Sequence, residues 1–283
     1  MQIIHQKTKT LTTRDNGRSA DCISPNFVYG CLGGCMSSYC YVGRYNHDKV
    51  YVNDNTDAIL SSVDEWVKSK PFPKTPNQCD PLLYTVDIGC STDVPLMRKH
   101  YDWQKVFDYF NETPMAKSTF ATKYPKMFLP MNYDLAPGKH RIRVSLMPQK
   151  YSDILEPGTD KILDRIDEIK KLQEVMEVHI NFSPIIYEDG WLDEYENLFQ
   201  IIGMRGINVP CECIFLTHNV FQHERNSEEV RALLWKPEKQ ESKDSQYAPD
   251  NIRYHHIFKT KLKAEFIELY GRYFNPKNIR YIF

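Results

Sequence analysis

The sequence predicts an α/β fold, a partial (β/α)6 barrel of the TIM type with a C-terminal extension. Short apolar runs rich in β-branched and aromatic residues alternate with segments of helical period, the pattern of βα units around a parallel sheet. The 283 residues are 41% apolar, enough to bury the core of one such domain. The sequence contains no internal repeat, so it predicts one main domain.

Six strands and five helices follow from these periods. The strands are predicted at Leu82–Gly89, Ser118–Lys123, Arg141–Met147, Val178–Ile186, Glu212–Thr217 and Ile279–Phe283. The helices are predicted at Asn55–Lys68, Trp103–Asn111, Asp160–Met176, Trp191–Ile202 and Lys261–Phe274. The third helix is the clearest, because apolar residues recur in it every three or four positions, after a Pro-Gly-Thr start signal.

Composition divides the chain into four segments. Residues 1–24 form a polar N-terminal segment, whose first twenty residues are expected to be loosely ordered, and residues 25–221 carry the barrel pattern. Residues 222–250 are charged and poor in β-branched residues, which predicts a partly helical insertion or a mobile excursion. Residues 251–283 contain the last predicted helix and strand.

Charge and cysteine content narrow the possible classes of protein, although the charge alone neither supports nor excludes DNA binding. The 36 basic and 37 acidic residues give a net charge of −1, so no global basic field indicates a nucleic-acid binder. Eight cysteines in this length are too few for a disulfide scaffold, and the N-terminus lacks a signal-peptide pattern. No run approaches the roughly 20 apolar residues of a membrane span. We therefore expect a soluble cytoplasmic protein.

Three cysteines lie within ten positions, at Cys31, Cys35 and Cys40. Three local thiolates can bind three corners of an iron-sulfur cube and leave the fourth iron open to a small molecule. The cluster follows the apolar run Phe27–Tyr29, which we interpret as the first strand of the barrel. A zinc site completed by His47 is the alternative.

Polar residues follow several of the predicted strands, where the reactive groups of βα barrels lie. They are Cys90 and Thr92, Lys123, Ser145, and His218 with Asn219. We expect them to face one opening. Each also has an ordinary interpretation: Cys90 as a buried packing residue, Lys123 as a solvated cation, and the hydroxyls as turn residues.

Several ordered stretches resemble the spore photoproduct lyase family of the radical S-adenosylmethionine superfamily. The cysteine loop resembles the superfamily signature. The family-like stretches are Tyr39-Cys40-Tyr41, Cys90-Ser91-Thr92-Asp93, Thr122-Lys123-Tyr124, Glu156-Pro157-Gly158-Thr159, and Pro184 to Trp191 with Leu198-Phe199-Gln200. The resemblance extends from about Pro25 to Phe283 and implies a barrel of the radical S-adenosylmethionine type.

The resemblance implies roles for the matching residues. Cys31, Cys35 and Cys40 would bind a 4Fe-4S cluster, and Thr92, Lys123 and Ser145 would hold the methionine part of S-adenosylmethionine. Cys90 matches the hydrogen-donor cysteine, and Tyr39 and Tyr41 match tyrosines of a radical relay. Arg253 and Tyr254 resemble, less closely, a lesion-contacting pair.

The implied reaction is carbon-carbon bond cleavage in DNA repair. A 5′-deoxyadenosyl radical would remove a hydrogen from a thymine dimer, the spore photoproduct, and start its fragmentation. The implied partners are DNA and an external electron donor such as flavodoxin or ferredoxin, with the enzyme a monomer. Two alternatives remain open: a radical enzyme that modifies another nucleic-acid base, and a zinc-binding protein without catalysis.

Two features depart from the family pattern. The spacing C-x3-C-x4-C has two extra residues before the third cysteine, and we expect the extra residues, among Met36, Ser37 and Ser38, to bulge outward. The region from Arg253 to Lys263 is also too short for a full lesion-binding hairpin. The sequence therefore predicts the cofactor more firmly than the substrate.

Overall fold

A computed structural model describes residues 1–40, 42, 48–245 and 248–283. The chain forms two compact units, each assembled from separate parts of the sequence. The first comprises Met1–Leu32, Asp48–Val144 and Glu168–His179, and the second comprises Gly33–His47, Ser145–Asp167 and Ile180–Phe283.

The strands and helices alternate along the chain as predicted. The strands are β1 (Gln2–Gln6), β2 (Arg14–Asp15), β3 (Cys22–Ile23), β4 (Val28–Tyr29), β5 (Lys49–Asn53), β6 (Tyr84–Asp87), β7 (Ala116–Thr122), β8 (His140–Leu146), β9 (Glu177–Ile185), β10 (Cys211–Phe215), β11 (Thr217–Asn219), β12 (Gln240–Ser245), β13 (Ala248–Tyr254) and β14 (Ile279–Ile282). The helices are α1 (Thr56–Lys68), α2 (Trp103–Glu112), α3 (Gln149–Leu155), α4 (Ile162–Gln173), α5 (Trp191–Met204), α6 (Val220–Arg225), α7 (Glu228–Leu234) and α8 (His256–Gly271). Among the residues described, no helix combines the length and apolar character that a membrane crossing requires.

In the first unit, β3, β6, β7 and β8 pair in that order as parallel neighbours, and β2 joins β3 antiparallel. A separate small sheet has the order β1-β5-β4. The prediction that Phe27–Tyr29 is the first barrel strand is therefore wrong, because β4 pairs antiparallel with β5 and β3 takes that place. The expected looseness of the first twenty residues is also wrong, since β1 pairs with β5 over five residues.

In the second unit, β10 pairs in parallel with both β9 and β14. A further antiparallel sheet has the order β11-β13-β12, in which β12 and β13 form a hairpin. The polar insertion is thus partly helical, as predicted, and its end supplies this hairpin. The region from Arg253 to Lys263 holds the end of β13 and the start of α8, and the hairpin lies upstream of most of it, from Gln240.

The predicted strand ends agree with the structure to within two residues, and the difference at the start of β6 has a local cause. β6 begins at Tyr84 rather than Leu82 because the carboxylate of Asp80 accepts hydrogen bonds from the amides of Leu82 and Leu83, at 2.9 and 2.8 Å. A side chain that binds the next two amides holds a turn and delays the strand.

Charged side chains are buried together at the amino ends of β7, β8 and β9. Arg141, 2% exposed, donates to Asp80 and to Glu177 at 2.8 Å each, and Lys117 pairs with the same two carboxylates. His179 lies 2.7 Å from Glu177. Burial opposes ionisation of Glu177, but His179, Arg141 and Lys117 together hold its pKa well below the usual value. This end of the sheet is closed by ion pairs, so the open end for chemistry is the other one.

A second buried polar contact fixes a neutral histidine in the first unit. His140, 1% exposed, lies 2.7 Å from the Asn111 Oδ1 through Nε2 and 2.9 Å from the Ser118 hydroxyl through Nδ1. Because an amide oxygen only accepts, Nε2 carries the proton and Nδ1 accepts from Ser118. Burial, followed by the charges of Lys139 and Lys117, lowers the pKa of His140 to about 4.

The lowered pKa of His140 predicts that the folded protein loses stability in acid. As the pH falls from about 6.5 to about 4, the unfolded chain takes up a proton at position 140 and the folded chain does not. Stability is therefore lost with acid, by up to about 1.4 kcal/mol per pH unit. His140→Gln should flatten the slope of unfolding free energy against pH in urea titrations. The same exchange at the exposed His256 is the control. An unchanged slope in His140→Gln would contradict this account.

Candidate active site

A turn after β6 carries the first group of predicted site residues. The carboxylate of Asp87, at the end of β6, accepts from the Gly89 amide at 3.0 Å and pairs with Arg143 on β8. Cys90 and Ser91 follow, and the Ser91 carbonyl accepts from the Gly30 amide at 3.1 Å. This hydrogen bond between Gly30 and Ser91 holds the start of the cysteine loop next to the turn that carries Cys90.

Cys90 is half-buried, and its sulfur lies 3.9 Å from the Ser91 hydroxyl. Desolvation, followed by the Asp87 carboxylate, raises the pKa of the Cys90 thiol well above its usual value. The sulfur therefore carries its proton at neutral pH. A protonated thiol is a poor nucleophile and metal ligand but a competent hydrogen-atom donor.

Asp93 joins this turn to the end of β7. Its carboxylate accepts from the Thr122 hydroxyl at 2.8 Å and from the Lys123 amide at 2.9 Å. Burial outweighs these hydrogen bonds and raises the pKa of Asp93. Thr92 is 7% exposed, and its hydroxyl oxygen has no hydrogen-bond partner in the part of the chain that the structure describes. The first unit thus places Thr92, Cys90 and Lys123 after two neighbouring parallel strands, as predicted, with one hydroxyl left for a ligand.

The second unit carries the rest of the cysteine loop. Cys35 lies in a short 3-10 turn (Gly34–Ser37), and its carbonyl accepts from the amides of Ser38 at 3.3 Å and Cys40 at 3.4 Å. Cys35, like Cys31 of the first unit, is buried, whereas Cys40 is half-buried. Tyr41 and His47 lie outside the described residues, so their predicted roles have no structural account here.

The loop rests on the turn at 156–159. The Ser38 hydroxyl donates to the Leu155 carbonyl at 2.7 Å, and the Tyr39 hydroxyl donates to the Glu156 carboxylate. A β-carbon on Gly34 would lie 1.9 Å from the Pro157 carbonyl oxygen, so the two backbones touch. Ser38 is 3% exposed, so it is not one of the residues expected to bulge outward.

A buried arginine connects this turn to the end of β8. Arg165 pairs with Glu156 at 2.8 Å, with both side chains fully buried, and donates to the Ser145 carbonyl at 2.9 Å. The Ser145 hydroxyl lies 3.5 Å from the Asn181 amide nitrogen, and the Asn181 Oδ1 has no hydrogen-bond partner among the described residues. The second unit thus presents a hydroxyl and an amide oxygen suited to a polar ligand.

The hairpin positions the two residues predicted to contact a substrate. Arg253 on β13 is half-buried and pairs with Glu241 on β12 at 3.2 Å. Tyr254 is 1% exposed, and its hydroxyl oxygen accepts a hydrogen bond from the Tyr187 amide at 2.8 Å. Burial raises the pKa of Tyr254 well above the usual value. Tyr254 is thus buried, whereas the side chain of Arg253 is 33% exposed.

The donor chemistry fits an iron-sulfur cluster. Cys31, Cys35 and Cys40 supply three sulfur atoms within ten positions, and no disulfide joins any two of the eight cysteines, all of which the structure describes. Within the described ranges, no group of three or more His, Cys, Asp or Glu side chains converges on a single metal ion. Each cysteine of a cube binds its own iron, so cluster ligands need not converge in that way.

Several site residues escaped sequence reasoning. Asp93 and Glu156 belong to the family-like stretches quoted above. The sequence therefore pointed to these two residues, but it did not predict that their carboxylates would hold neighbouring turns in place. Asn181 lies inside a β-strand and offers no signal of its own. The same holds for Gln222 and Asn226 in the polar insertion, whose side-chain amides donate to the carbonyls of Cys40 and Ser38.

Comparisons with known proteins agree with this geometry. A family model described as spore photoproduct lyase matches residues 3–283. A solved structure of spore photoproduct lyase complexed with dinucleoside spore photoproduct has a TM-score of 0.81 at 17% identity, covering 99% of this chain and 82% of that chain. A double mutant with bound AdoMet and the same dinucleoside gives 0.81 at 16% identity with the same coverage. No curated protein sequence matches. The structural likeness confirms the predicted α/β partial-barrel fold.

The contact between Gly34 and Pro157 predicts the effect of one added methyl group. Gly34→Ala would force the cysteine loop away from the 156–159 turn, and we expect it to cost about 1–3 kcal/mol of unfolding free energy. Gly203→Ala is the control, because a β-carbon there meets nothing within 4 Å. The control, within a helix, should be neutral or slightly stabilising. Equal stabilities of the two variants in urea titrations would contradict the contact.

Proposed function

Because the chain belongs to the spore photoproduct lyase family, we propose that it is a radical S-adenosylmethionine lyase that reverses a thymine dimer, the spore photoproduct, in DNA. The observation that carries the proposal is the family match over nearly the whole chain. The protonated Cys90 after β6 supports it, because the reaction needs a hydrogen-atom donor in that position.

Cys31, Cys35 and Cys40 would hold a 4Fe-4S cluster. The close spacing of the three cysteines and the hydrogen bonds that anchor the loop between Gly30 and Cys40 support this assignment. When bound, the cluster and S-adenosylmethionine supply a 5′-deoxyadenosyl radical. The chain's own contribution is to hold the loop in place and to keep the other reactive groups fixed.

Thr92, Lys123 and Ser145 would hold the methionine part of S-adenosylmethionine. The unpartnered Thr92 hydroxyl in the described structure supports its part, because a buried hydroxyl left without a partner costs free energy unless a ligand uses it. Lys123 would supply a compact cation for the carboxylate. We add Asn181 to these methionine-binding residues. Its side-chain nitrogen contacts the Ser145 hydroxyl, and its Oδ1 has no hydrogen-bond partner among the described residues, so this oxygen can accept from a ligand.

Cys90 would donate the hydrogen atom that completes repair. Its S–H bond breaks homolytically and a C–H bond forms on the thymine-centred radical, which leaves a thiyl radical on the sulfur. Tyr39 and Tyr41 would return that radical toward the cofactor. The hydrogen bond from the Tyr39 hydroxyl to Glu156 supports a fixed position for the first of these rings.

Arg253 would contact the DNA backbone at the lesion. Its guanidinium can pair with a phosphate, although Glu241 already neutralises part of its charge. Structures with dinucleoside spore photoproduct in similar proteins support a DNA-like substrate. We further propose that an external donor, such as flavodoxin or ferredoxin, supplies the electron to a monomeric enzyme.

Anaerobic reconstitution tests the proposal as a whole. Protein loaded with iron and sulfide, reduced, and mixed with S-adenosylmethionine and irradiated DNA should release 5′-deoxyadenosine while the dimer disappears. Chromatography of both products gives the measurement. Cofactor cleavage without loss of dimer would favour modification of another base. Protein that takes up zinc and never iron would end the radical account.

Cys90→Ala tests the donor role separately. The variant should still consume the dimer, because the first hydrogen removal does not use the thiol, but it should release aberrant, incompletely restored thymine products. Mass spectrometry of the products gives the measurement, and Cys22→Ala, at a buried cysteine of β3, is the control. Unchanged products from Cys90→Ala would remove Cys90 from the mechanism.

A further inference from the structure

Helix α6 and its C-terminal capping residue, Asn226, bind the cysteine loop through two side-chain amides. The Gln222 Nε2 donates to the Cys40 carbonyl at 2.7 Å, and the Asn226 Nδ2 donates to the Ser38 carbonyl at 2.8 Å. Gln222 is 1% exposed, so its hydrogen bond is shielded from water. Two carbonyls of the loop that contains Cys40 thus have partners about 185 residues further along the chain.

The same helix is fixed to the hairpin sheet at its other side. Asn219, the last residue of β11, caps α6 by accepting from the Phe221 amide at 3.0 Å, and its Nδ2 donates to the Asp250 carbonyl at 3.3 Å. Asn219 itself pairs with Asn251 in the antiparallel ladder between β11 and β13. One side chain therefore joins the start of α6 to a hairpin strand.

A histidine pair holds α6 in one orientation over β11. The His218 Nε2 lies 3.3 Å from the His223 Nδ1, and the His223 ring packs 5.7 Å from the ring of Trp235. His218 pairs with Ile252 of β13 in the ladder. The helix is thus held by polar contacts on β11, on the hairpin and on the cysteine loop.

We propose that Gln222 and Asn226 are positioning residues that couple the hairpin to the cysteine loop. A shift of β13 would move β11 and α6 through the ladder and Asn219, and α6 would carry that shift to Ser38 and Cys40. Substrate on the hairpin would then stabilise the loop conformation that holds the cluster. By linkage, the loaded cluster must favour the DNA-bound hairpin by the same factor.

This inference rests on the proposed function, and it is tested by DNA affinity rather than by turnover. Fluorescence anisotropy with an irradiated oligonucleotide would give the dissociation constant for cluster-loaded protein and for the same preparation stripped of metal. We expect the loaded wild type to bind at least about fivefold more tightly, the lower range of measured couplings. Gln222→Met keeps the length of the side chain and removes the donor, and its ratio should fall toward one.

Asn226→Leu is the second variant, in case Gln222→Met does not fold, and it should also lower the ratio. Gln200→Met is the matched control, because Gln200 on α5 is exposed and its amide donates to Tyr273. A spectroscopic readout complements the affinities: DNA should shift the electron paramagnetic resonance signal of the reduced cluster in wild type and not in Gln222→Met.

The outcomes separate the two proposals. Wild type that takes up no iron or binds no DNA removes the proposed function, and the coupling with it. If the wild type takes up iron and binds DNA, but binds DNA equally tightly with and without the cluster, the coupling alone is overturned. A Gln222→Met or Asn226→Leu ratio equal to that of the wild type also overturns the assignment of these residues.

Discussion

The ion pair between Glu156 and Arg165 is the interaction on which the cysteine loop depends. Both side chains are fully buried, and such a pair offsets its desolvation cost only when the remaining donors and acceptors are satisfied. Tyr39 and Ser152 donate to Glu156, and Arg165 donates to the backbone at 145 and 160. These hydrogen bonds satisfy the remaining donors and acceptors of the pair. Because they come from Tyr39 of the cysteine loop and go to the backbone at the end of β8, the pair holds these two segments in place.

Carboxylates have the same positioning role in the first unit. Asp87 binds an amide of the Cys90 turn, and Asp93 binds the amide of Lys123 at the end of β7. Both are buried, and a buried carboxylate needs all the donors it can reach. The predicted ligand-binding residues are therefore held by acidic neighbours that themselves need not touch a ligand, and such neighbours restrict the turns before anything binds.

The sequence predicts those parts of the fold that follow from local period. In β8, Ile142, Val144 and Leu146 alternate with polar residues, and α4 repeats its apolar face every three or four positions, so both elements were predicted to within a few residues. β3 has only two residues and no detectable period, which is why the run at 27–29 was mistaken for the first barrel strand. The hairpin was missed because β12 is polar throughout and its pairing with β13 is what makes it a strand.

In the site, too, the sequence predicts features that depend on neighbouring residues and misses contacts between residues far apart in the chain. The motif around Cys90 marked the turn, but the contact of Gln222 with Cys40 joins positions 182 residues apart and leaves no local pattern. The spacing of the cysteines shows why this matters. The longer interval between Cys35 and Cys40 adds residues, and Ser38 in that interval faces inward and binds Leu155. At least one residue of the longer interval therefore anchors the loop, and a departure from a motif has to be interpreted through the partners that the residues of that interval acquire.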